Sequence, residues 1–129
     1  MTEERRLRVL VVDDAALVRM YYREALVGAG YEVEEALNGL EALEKLTAAP
    51  ADLLIVDVNM PQMDGLTFLK VLRRQDLETA SIPALVVSTE SKSQDVAAAR
   101  EAGANFYLVK PVAPEALVEF AGLLCGRAA

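Results

Sequence analysis

The chain has 129 residues, and 53% of them are apolar, a composition that predicts one globular domain with its own hydrophobic core. Its formal net charge of -7 at pH 7 argues against a nucleic-acid binder, which would need a basic face to displace the counterions of phosphate groups. The chain has no histidine, which excludes histidine chemistry, and its one cysteine, Cys125, excludes an intrachain disulfide. No apolar run approaches the roughly 20 residues that span a bilayer, so we expect a cytoplasmic protein without membrane insertion.

The first half of the chain predicts two strands and two helices. Residues 7–12 are typical of a buried strand, and a helix follows that we expect Gly28 and Gly30 to end with left-handed backbone angles. Residues 31–36 alternate partly between apolar and charged side chains, as an edge strand does. The second helix follows the turn signal at 38–39. Apolar residues at helical spacing are Leu17, Val18, Tyr21, Ala25 and Leu26 in the first helix, and Leu40, Leu43 and Leu46 in the second.

The second half predicts three more strands and three more helices. The strands are residues 53–56, 84–87 and 106–109, with a loop at 60–65 after the first of them. We expect Ser91 or Ser93 to cap the helix after the fourth strand, Gly103 to close that helix, and Pro114 to lie in the first turn of the last one. Five strand–helix units favour an α/β, flavodoxin-like, doubly wound (βα)5 fold with a five-stranded parallel sheet in the order 2-1-3-4-5.

Charged side chains follow three of these strands, each of which we expect to be buried, at the point where the strand ends. Asp13 and Asp14 follow the first strand, Asp57 the third and Lys110 the fifth. In an open parallel sheet, ligands bind beyond the carboxyl ends of the strands where the strand order reverses, here between strands one and three. Three close carboxylates repel one another, so the site should raise a pKa or bind a cation. Oxygen ligands alone favour Mg²⁺ or Mn²⁺.

Four motifs at the predicted strand ends together resemble the receiver domain of two-component response regulators. They are residues 11–14 (VVDD), 54–65 (LIVDVNMPQMDG), 87–88 (VS) and 107–111 (YLVKP), and the resemblance covers nearly the whole chain. It implies that residues 1–129 form a single receiver domain, a signalling protein rather than an enzyme with a separate substrate. It also implies that Asp57 accepts a phosphoryl group from a phosphohistidine of a sensor histidine kinase.

The resemblance further implies a magnesium site around Asp57. Asp14 would bind the metal directly, Asp13 would act mainly through water or by orientation, and the main-chain carbonyl of Asn59 would supply another oxygen. Lys110 would pair with a phosphoryl oxygen.

Two residues match the switch positions of the family. Ser88 matches the hydroxyl that hydrogen-bonds the phosphoryl group, and Tyr107 matches the aromatic residue whose ring then swings inward. This change would alter a protein-binding surface formed by the fourth helix, fifth strand and fifth helix of the predicted elements. Ser88 as a simple turn residue and Tyr107 as an ordinary aromatic remain open alternatives.

The chain also departs from the family pattern. Thr89 stands where alanine or glycine is usual, so we expect it to slow phosphoryl access or to alter the swing of Tyr107. Val112 stands where phenylalanine is common, which would soften packing near the output surface. Asn59 and Glu90, like Thr89, lie where side chains can tune the lifetime of the phosphoryl group.

Residues 89–95 and 104–112 look most like chemotaxis response regulators, which bind the flagellar motor switch when phosphorylated. Because the chain ends after the fifth predicted helix, we expect a stand-alone receiver that acts through protein contact, as a monomer or a phosphorylation-dependent dimer. A phosphorelay or cell-cycle receiver and a docking module that needs no phosphorylation are alternatives. A phosphatase of the haloacid dehalogenase type is more remote, since it would need aspartate in place of Asn59. A flavodoxin would need a phosphate-binding loop in place of Asp13 and Asp14.

Overall fold

The structure is a computed structural model that describes residues 6–126. It contains the five predicted strands, the five predicted helices and one additional short helix. In chain order the elements are β1 (Arg8–Val12), α1 (Ala16–Gly28), β2 (Glu32–Ala36), α2 (Gly39–Ala48), β3 (Leu53–Val56), α3 (Gly65–Leu72), α4 (Leu77–Ala80), β4 (Ala84–Ser88), α5 (Ser93–Ala102), β5 (Phe106–Val109) and α6 (Pro114–Leu124). The additional helix, α4, has four residues, too few for a helical period to show in the sequence.

The five strands form one parallel sheet in the order β2-β1-β3-β4-β5, which confirms the predicted fold. Successive side chains of a strand point to opposite faces, so each central strand contributes to two cores. One core lies under α1 and α6 and includes Val9, Val11, Ile55 and Val87. The other lies under α2, α3 and α5 and includes Leu10, Val12, Val56 and Val86. Burial on both faces explains why these strands are runs of apolar residues.

The two edge strands differ from the central ones. The less buried face predicted for β2 is confirmed. The prediction that residues 106–109 form a buried strand is wrong, because β5 lies at the other edge of the sheet and leaves Phe106 and Val109 exposed.

The predicted helices are confirmed, but some of their faces and ends differ from expectation. Leu17, Tyr21 and Leu40 lie on exposed positions although they follow the helical period. Gly30 has a positive φ of 96°, as predicted. Gly28 is the last residue of α1 and has no positive φ, so that part of the prediction is wrong.

The predicted serine cap of α5 is wrong. Lys92 is the N-cap residue, and its side chain makes no cap hydrogen bond. Gly103 closes α5 with φ 117°, and Pro114 is the first residue of α6, as predicted.

The two limits predicted for the domain, residues 1 and 129, lie outside the described part of the chain. Among residues 6–126, no helix combines the length and the apolar character needed to cross a membrane.

Candidate functional site

The ends of β1 and β3 place two aspartates side by side. Val12 pairs with Val56 in the parallel register, so the next residues, Asp13 and Asp57, leave adjacent strands at the same edge of the sheet. The sheet hydrogen bonds continue for one residue on each strand, since the Asp13 N–H donates to Ala36 O at 3.1 Å and the Asp57 N–H to Val12 O at 2.9 Å. Asp13 is 2% exposed and Asp57 is 8% exposed. Two carboxylates are therefore held against the core by backbone pairing.

Asp14 completes an acidic cluster at this edge. One carboxylate oxygen from each of Asp13, Asp14 and Asp57 lies within 4.8 Å of the other two, and the side chain of Asp14 is exposed. Three oxygen ligands without nitrogen or sulfur suit a hard divalent cation such as Mg²⁺ or Mn²⁺. Asn59 lies two residues beyond Asp57 and is exposed. The donor set thus fits the predicted metal.

Lys110 supplies the positive charge of the site. Its Nζ lies 3.1 Å from Asp13 Oδ2 and 3.4 Å from Asp57 Oδ1. The position of the residue is fixed at the end of β5, where its N–H donates to Ser88 O at 2.8 Å and the following peptide bond to Pro111 is cis. Burial alone would lower the pKa of the ammonium, but the hydrogen bond to Asp13 and the charges of Asp13 and Asp57 outweigh burial and raise the pKa. Lys110 therefore stays protonated at neutral pH.

The environment of Asp57 disfavours its charged form. Burial is the largest cause that raises its pKa above the ordinary value, and repulsion from Asp13 is the next. The charge and hydrogen bond of Lys110 act in the opposite direction, and Asp14 adds a smaller repulsion. One ammonium thus offsets only part of the negative charge, and a cation bound at the cluster would offset more.

Gly65 allows the loop after β3 to close tightly over Asp57. A Cβ atom at position 65 would lie 2.2 Å from the carbonyl oxygen of Asp57, too close for any side chain. The Gly65 N–H donates to Val58 O at 2.8 Å, and Asp64 caps α3 by accepting from the Thr67 N–H at 2.8 Å. The sequence indicated a loop here, but not this contact; the glycine that ends the 54–65 motif was the available signal.

The two predicted switch residues both contact the main chain of Glu90. Ser88 is fully buried, and its Oγ accepts from the Glu90 N–H at 3.1 Å. The Tyr107 hydroxyl donates to Glu90 O at 2.7 Å. Thr89 lies between Ser88 and Glu90 in the sequence, and its side chain is exposed. The loop after β4 is therefore connected to the end of β4 and to the ring of Tyr107.

Comparisons with known proteins show the family and the fold of the chain. The family described as "Response regulator receiver domain" matches residues 9–121. The chain is 43% identical over 115 residues to the chemotaxis protein CheY1 of Helicobacter pylori, which covers 88% of this chain and 92% of that protein. It is 39% identical over 113 residues to the chemotaxis protein CheY of Bacillus subtilis, covering 87% and 92%. The crystal structure of the Vibrio cholerae chemotaxis protein CheY4 superposes with a TM-score of 0.88 at 38% identity, over 93% of this chain and 99% of that one.

Proposed function

Because the chain belongs to the family of response regulator receiver domains, we propose that Asp57 is the residue on which it accepts a phosphoryl group from a sensor histidine kinase. The family match and the relatives support a phosphorylation-activated response regulator. The observation that carries the assignment of the residue is the position of Asp57, at the end of a central strand beside two carboxylates and 3.4 Å from an ammonium.

The transfer is a nucleophilic displacement at phosphorus. A carboxylate oxygen of Asp57 attacks the phosphorus atom of a phosphohistidine, a P–O bond forms, and the P–N bond breaks. Its electron pair returns to the histidine ring, and an acyl phosphate remains on Asp57. The Lys110 ammonium lies close enough to Asp57 to offset the charge that the phosphoryl group brings.

Asp13, Asp14 and Asp57, with the main-chain carbonyl of Asn59, would hold Mg²⁺ or Mn²⁺. When bound, the divalent ion neutralises negative charge on the phosphoryl oxygens. Asp13 is oriented for this role by Lys110 and by the Ala15 N–H, which donates to Asp13 Oδ1 at 2.9 Å.

Ser88 and Tyr107 would transmit the change. In the structure the Ser88 hydroxyl accepts a hydrogen bond from the Glu90 N–H, so its proton is free to be donated to a phosphoryl oxygen. A shift of Ser88 would pull on Glu90, whose carbonyl oxygen binds the Tyr107 hydroxyl. Thr89 and Glu90 directly follow Ser88, Asn59 lies two residues after Asp57, and all three are exposed, so their side chains would tune the lifetime of the acyl phosphate.

The surface that responds is the one formed by α5, β5 and α6. The exposed ring of Phe106 stacks on Phe120 with ring centroids 4.7 Å apart. Val109 is also exposed, and it leaves the other face of β5, the face that carries Tyr107. A groove lined by Val96, Arg100, Phe106 and Tyr107 lies between α5 and β5. Apolar residues beside a residue that can move form a suitable contact for a downstream protein.

A second surface, on α1, is suited to the phosphodonor. Leu17 is 76% exposed, and Met20 and Tyr21 are exposed beside it at helical spacing. This apolar stripe begins within the first turn after Asp14, next to the acidic cluster. A kinase domain that carries a phosphohistidine must bring the phosphorus atom to Asp57. The exposed residues at the start of α1 would offer that domain an apolar contact surface.

The pathway is proposed from the relatives. The three proteins compared above are named as chemotaxis proteins, so this chain would act in chemotaxis signalling, with the flagellar motor switch as its downstream target. It would do so in the cytoplasm as a single receiver domain over residues 1–129, either as a monomer or as a dimer formed on phosphorylation.

Chemical trapping tests the assignment of the acceptor residue. The protein is incubated with acetyl phosphate and Mg²⁺, reduced with borohydride, which converts an acyl phosphate to an alcohol, and then digested for peptide mapping. We expect the reduced residue at position 57 alone. Reduction at Asp13, Asp14 or Asp64 instead would contradict the assignment.

A further inference from the structure

Arg19 connects three elements beside the acidic cluster. Its Nη1 donates a hydrogen bond of 2.6 Å to the main-chain carbonyl oxygen of Asp13. Its Nε donates to Glu35 Oε1 at 2.9 Å. The guanidinium group therefore ties the residue after β1 to α1, which carries Arg19, and to β2, which carries Glu35. The side chain of Arg19 is only 11% exposed.

The carbonyl that Arg19 binds belongs to the peptide unit between Asp13 and Asp14. The orientation of this unit sets the direction in which the Asp14 side chain leaves the backbone. The other polar groups of Asp13 are also bound: its N–H donates to Ala36 O, its Oδ1 accepts from the Ala15 N–H, and its Oδ2 contacts Lys110. Arg19 thus supplies the charged donor that fixes the one remaining group, the main-chain carbonyl oxygen.

Glu35 holds Arg19 in place. Its two carboxylate oxygens bind two arginines, Arg19 at 2.9 Å and Arg23 at 2.6 Å. The hydrogen bond from Arg23 is the largest cause of a lowered Glu35 pKa, and the bond from Arg19 adds to it. Glu35 is therefore ionised at neutral pH and offers each guanidinium group a charged acceptor.

We infer that Arg19 is a positioning residue for the candidate metal site: it holds the Asp13–Asp14 peptide so that both carboxylates face Asp57. The inference rests on the proposed function, because it assumes that the cluster binds a divalent cation. Its action is indirect, since Arg19 contacts a ligand residue through the main chain and does not reach the ion. Partners that orient ligands in this way affect metal affinity strongly.

Arg23 provides a matched control. It lies one turn further along α1, binds the other oxygen of Glu35, and is 45% exposed. In the described part of the chain it has no hydrogen bond to Asp13. A substitution at Arg23 removes a positive charge and an ion pair with Glu35, but leaves the contact to the Asp13 carbonyl intact.

The test is a Mg²⁺ titration of the unphosphorylated protein, followed by calorimetry or by amide NMR shifts, for wild type, Arg19→Gln, Arg19→Lys and Arg23→Gln. We expect Arg19→Gln to weaken Mg²⁺ binding about tenfold and Arg23→Gln to weaken it less than about twofold. Lysine can reach one acceptor but not both, so Arg19→Lys should restore part of the affinity.

Unchanged Mg²⁺ affinity in Arg19→Gln would overturn the inference and leave the proposed function standing. An equal loss in Arg19→Gln and Arg23→Gln would also overturn it, because the effect would then come from charge or from Glu35. A wild-type protein that binds no Mg²⁺ would overturn the proposed function as well. If Arg19→Gln does not fold, Glu35→Gln releases Arg19 while keeping both arginines, and it must then weaken Mg²⁺ binding more than Arg23→Gln does.

Discussion

Lys110 Nζ lies 3.4 Å from Asp57 Oδ1, although the two residues follow different strands that are not neighbours in the sheet. The ammonium reaches across the end of β4 to the carboxylate of β3, and it also contacts Asp13 at 3.1 Å. The ammonium group of one lysine thus contacts both aspartates that are buried at this edge of the sheet.

The first prediction follows from this contact. Lys110→Gln removes the ammonium that offsets the incoming phosphoryl charge, so phosphorylation by acetyl phosphate should slow by about 10- to 100-fold. Lys70→Gln, which removes an exposed lysine from α3, is the control and should leave the rate unchanged. The initial rate of adduct formation, followed by mass spectrometry, measures the effect. A rate for Lys110→Gln equal to that of Lys70→Gln would refute the role of Lys110.

The second prediction concerns stability and pH. The folded protein raises the pKa of Asp57 through burial and through repulsion from Asp13. The Asp57 carboxyl therefore contributes most to stability below the pKa that it has in the unfolded chain. This contribution is lost as the pH rises through its pKa in the folded protein. At neutral pH without Mg²⁺, Asp57→Asn should stabilise the protein by on the order of 1 kcal/mol.

Urea unfolding at a series of pH values measures this gain. The advantage of Asp57→Asn over wild type should shrink as the pH falls through the folded pKa of Asp57, and added Mg²⁺ should shrink it at neutral pH. A variant that is less stable than wild type at neutral pH without Mg²⁺ would show that the Lys110 contact outweighs burial and repulsion.

The third prediction tests the close approach of Gly65 to Asp57. Gly65→Ala places a Cβ atom 2.2 Å from the Asp57 carbonyl oxygen, so the loop or the strand end must move. We expect a loss of about 1 to 3 kcal/mol in the free energy of unfolding, together with weaker Mg²⁺ binding.

Gly28→Ala is the control for this substitution. A Cβ atom there meets nothing within 4 Å, and alanine in a helix should be neutral or stabilise by up to about 1 kcal/mol. Equal stability and Mg²⁺ affinity of Gly65→Ala and wild type would mean that the loop does not constrain Asp57.

The alternation of strands and helices predicted a parallel sheet, and the flavodoxin-like strand order then predicted which strand ends lie side by side. Buried parallel strands are apolar runs, and the residue that ends such a run must lie at one edge of the sheet. Asp13, Asp57 and Lys110 could therefore be placed together without knowledge of any contact. The predicted order places β5 at an edge, but its partial exposure was missed because residues 106–109 are as apolar as a central strand.

Contacts that depend on distances in three dimensions could not be predicted. The approach of Gly65 to the Asp57 carbonyl depends on the path of the loop, and the bond from Arg19 to Asp13 depends on where α1 lies against the end of β1. Helical period predicted α1, but it did not separate the buried Tyr22 from the exposed Leu17, because the buried face is set by the sheet below.

The fourth prediction separates the phosphodonor surface from the chemical site. Leu17→Glu places a charge on the exposed stripe of α1, so phosphotransfer from the cognate kinase should slow by about tenfold or more. Phosphorylation by acetyl phosphate should stay within about twofold of wild type, since a small donor needs no docking surface. Leu77→Glu, at an exposed leucine on α4, is the control. A kinase reaction as fast for Leu17→Glu as for Leu77→Glu would place the docking surface elsewhere.

The central claim is that Asp57 is phosphorylated with the help of a divalent cation. Intact mass after incubation with acetyl phosphate, with and without Mg²⁺, tests it most directly for wild type, Asp57→Asn and Asp64→Asn, the last a loop aspartate outside the cluster. We predict a labile adduct of one phosphoryl group in wild type and Asp64→Asn with Mg²⁺, and none in Asp57→Asn or after chelation. An adduct that persists in Asp57→Asn or without a divalent cation, or no adduct in wild type with Mg²⁺, would contradict it.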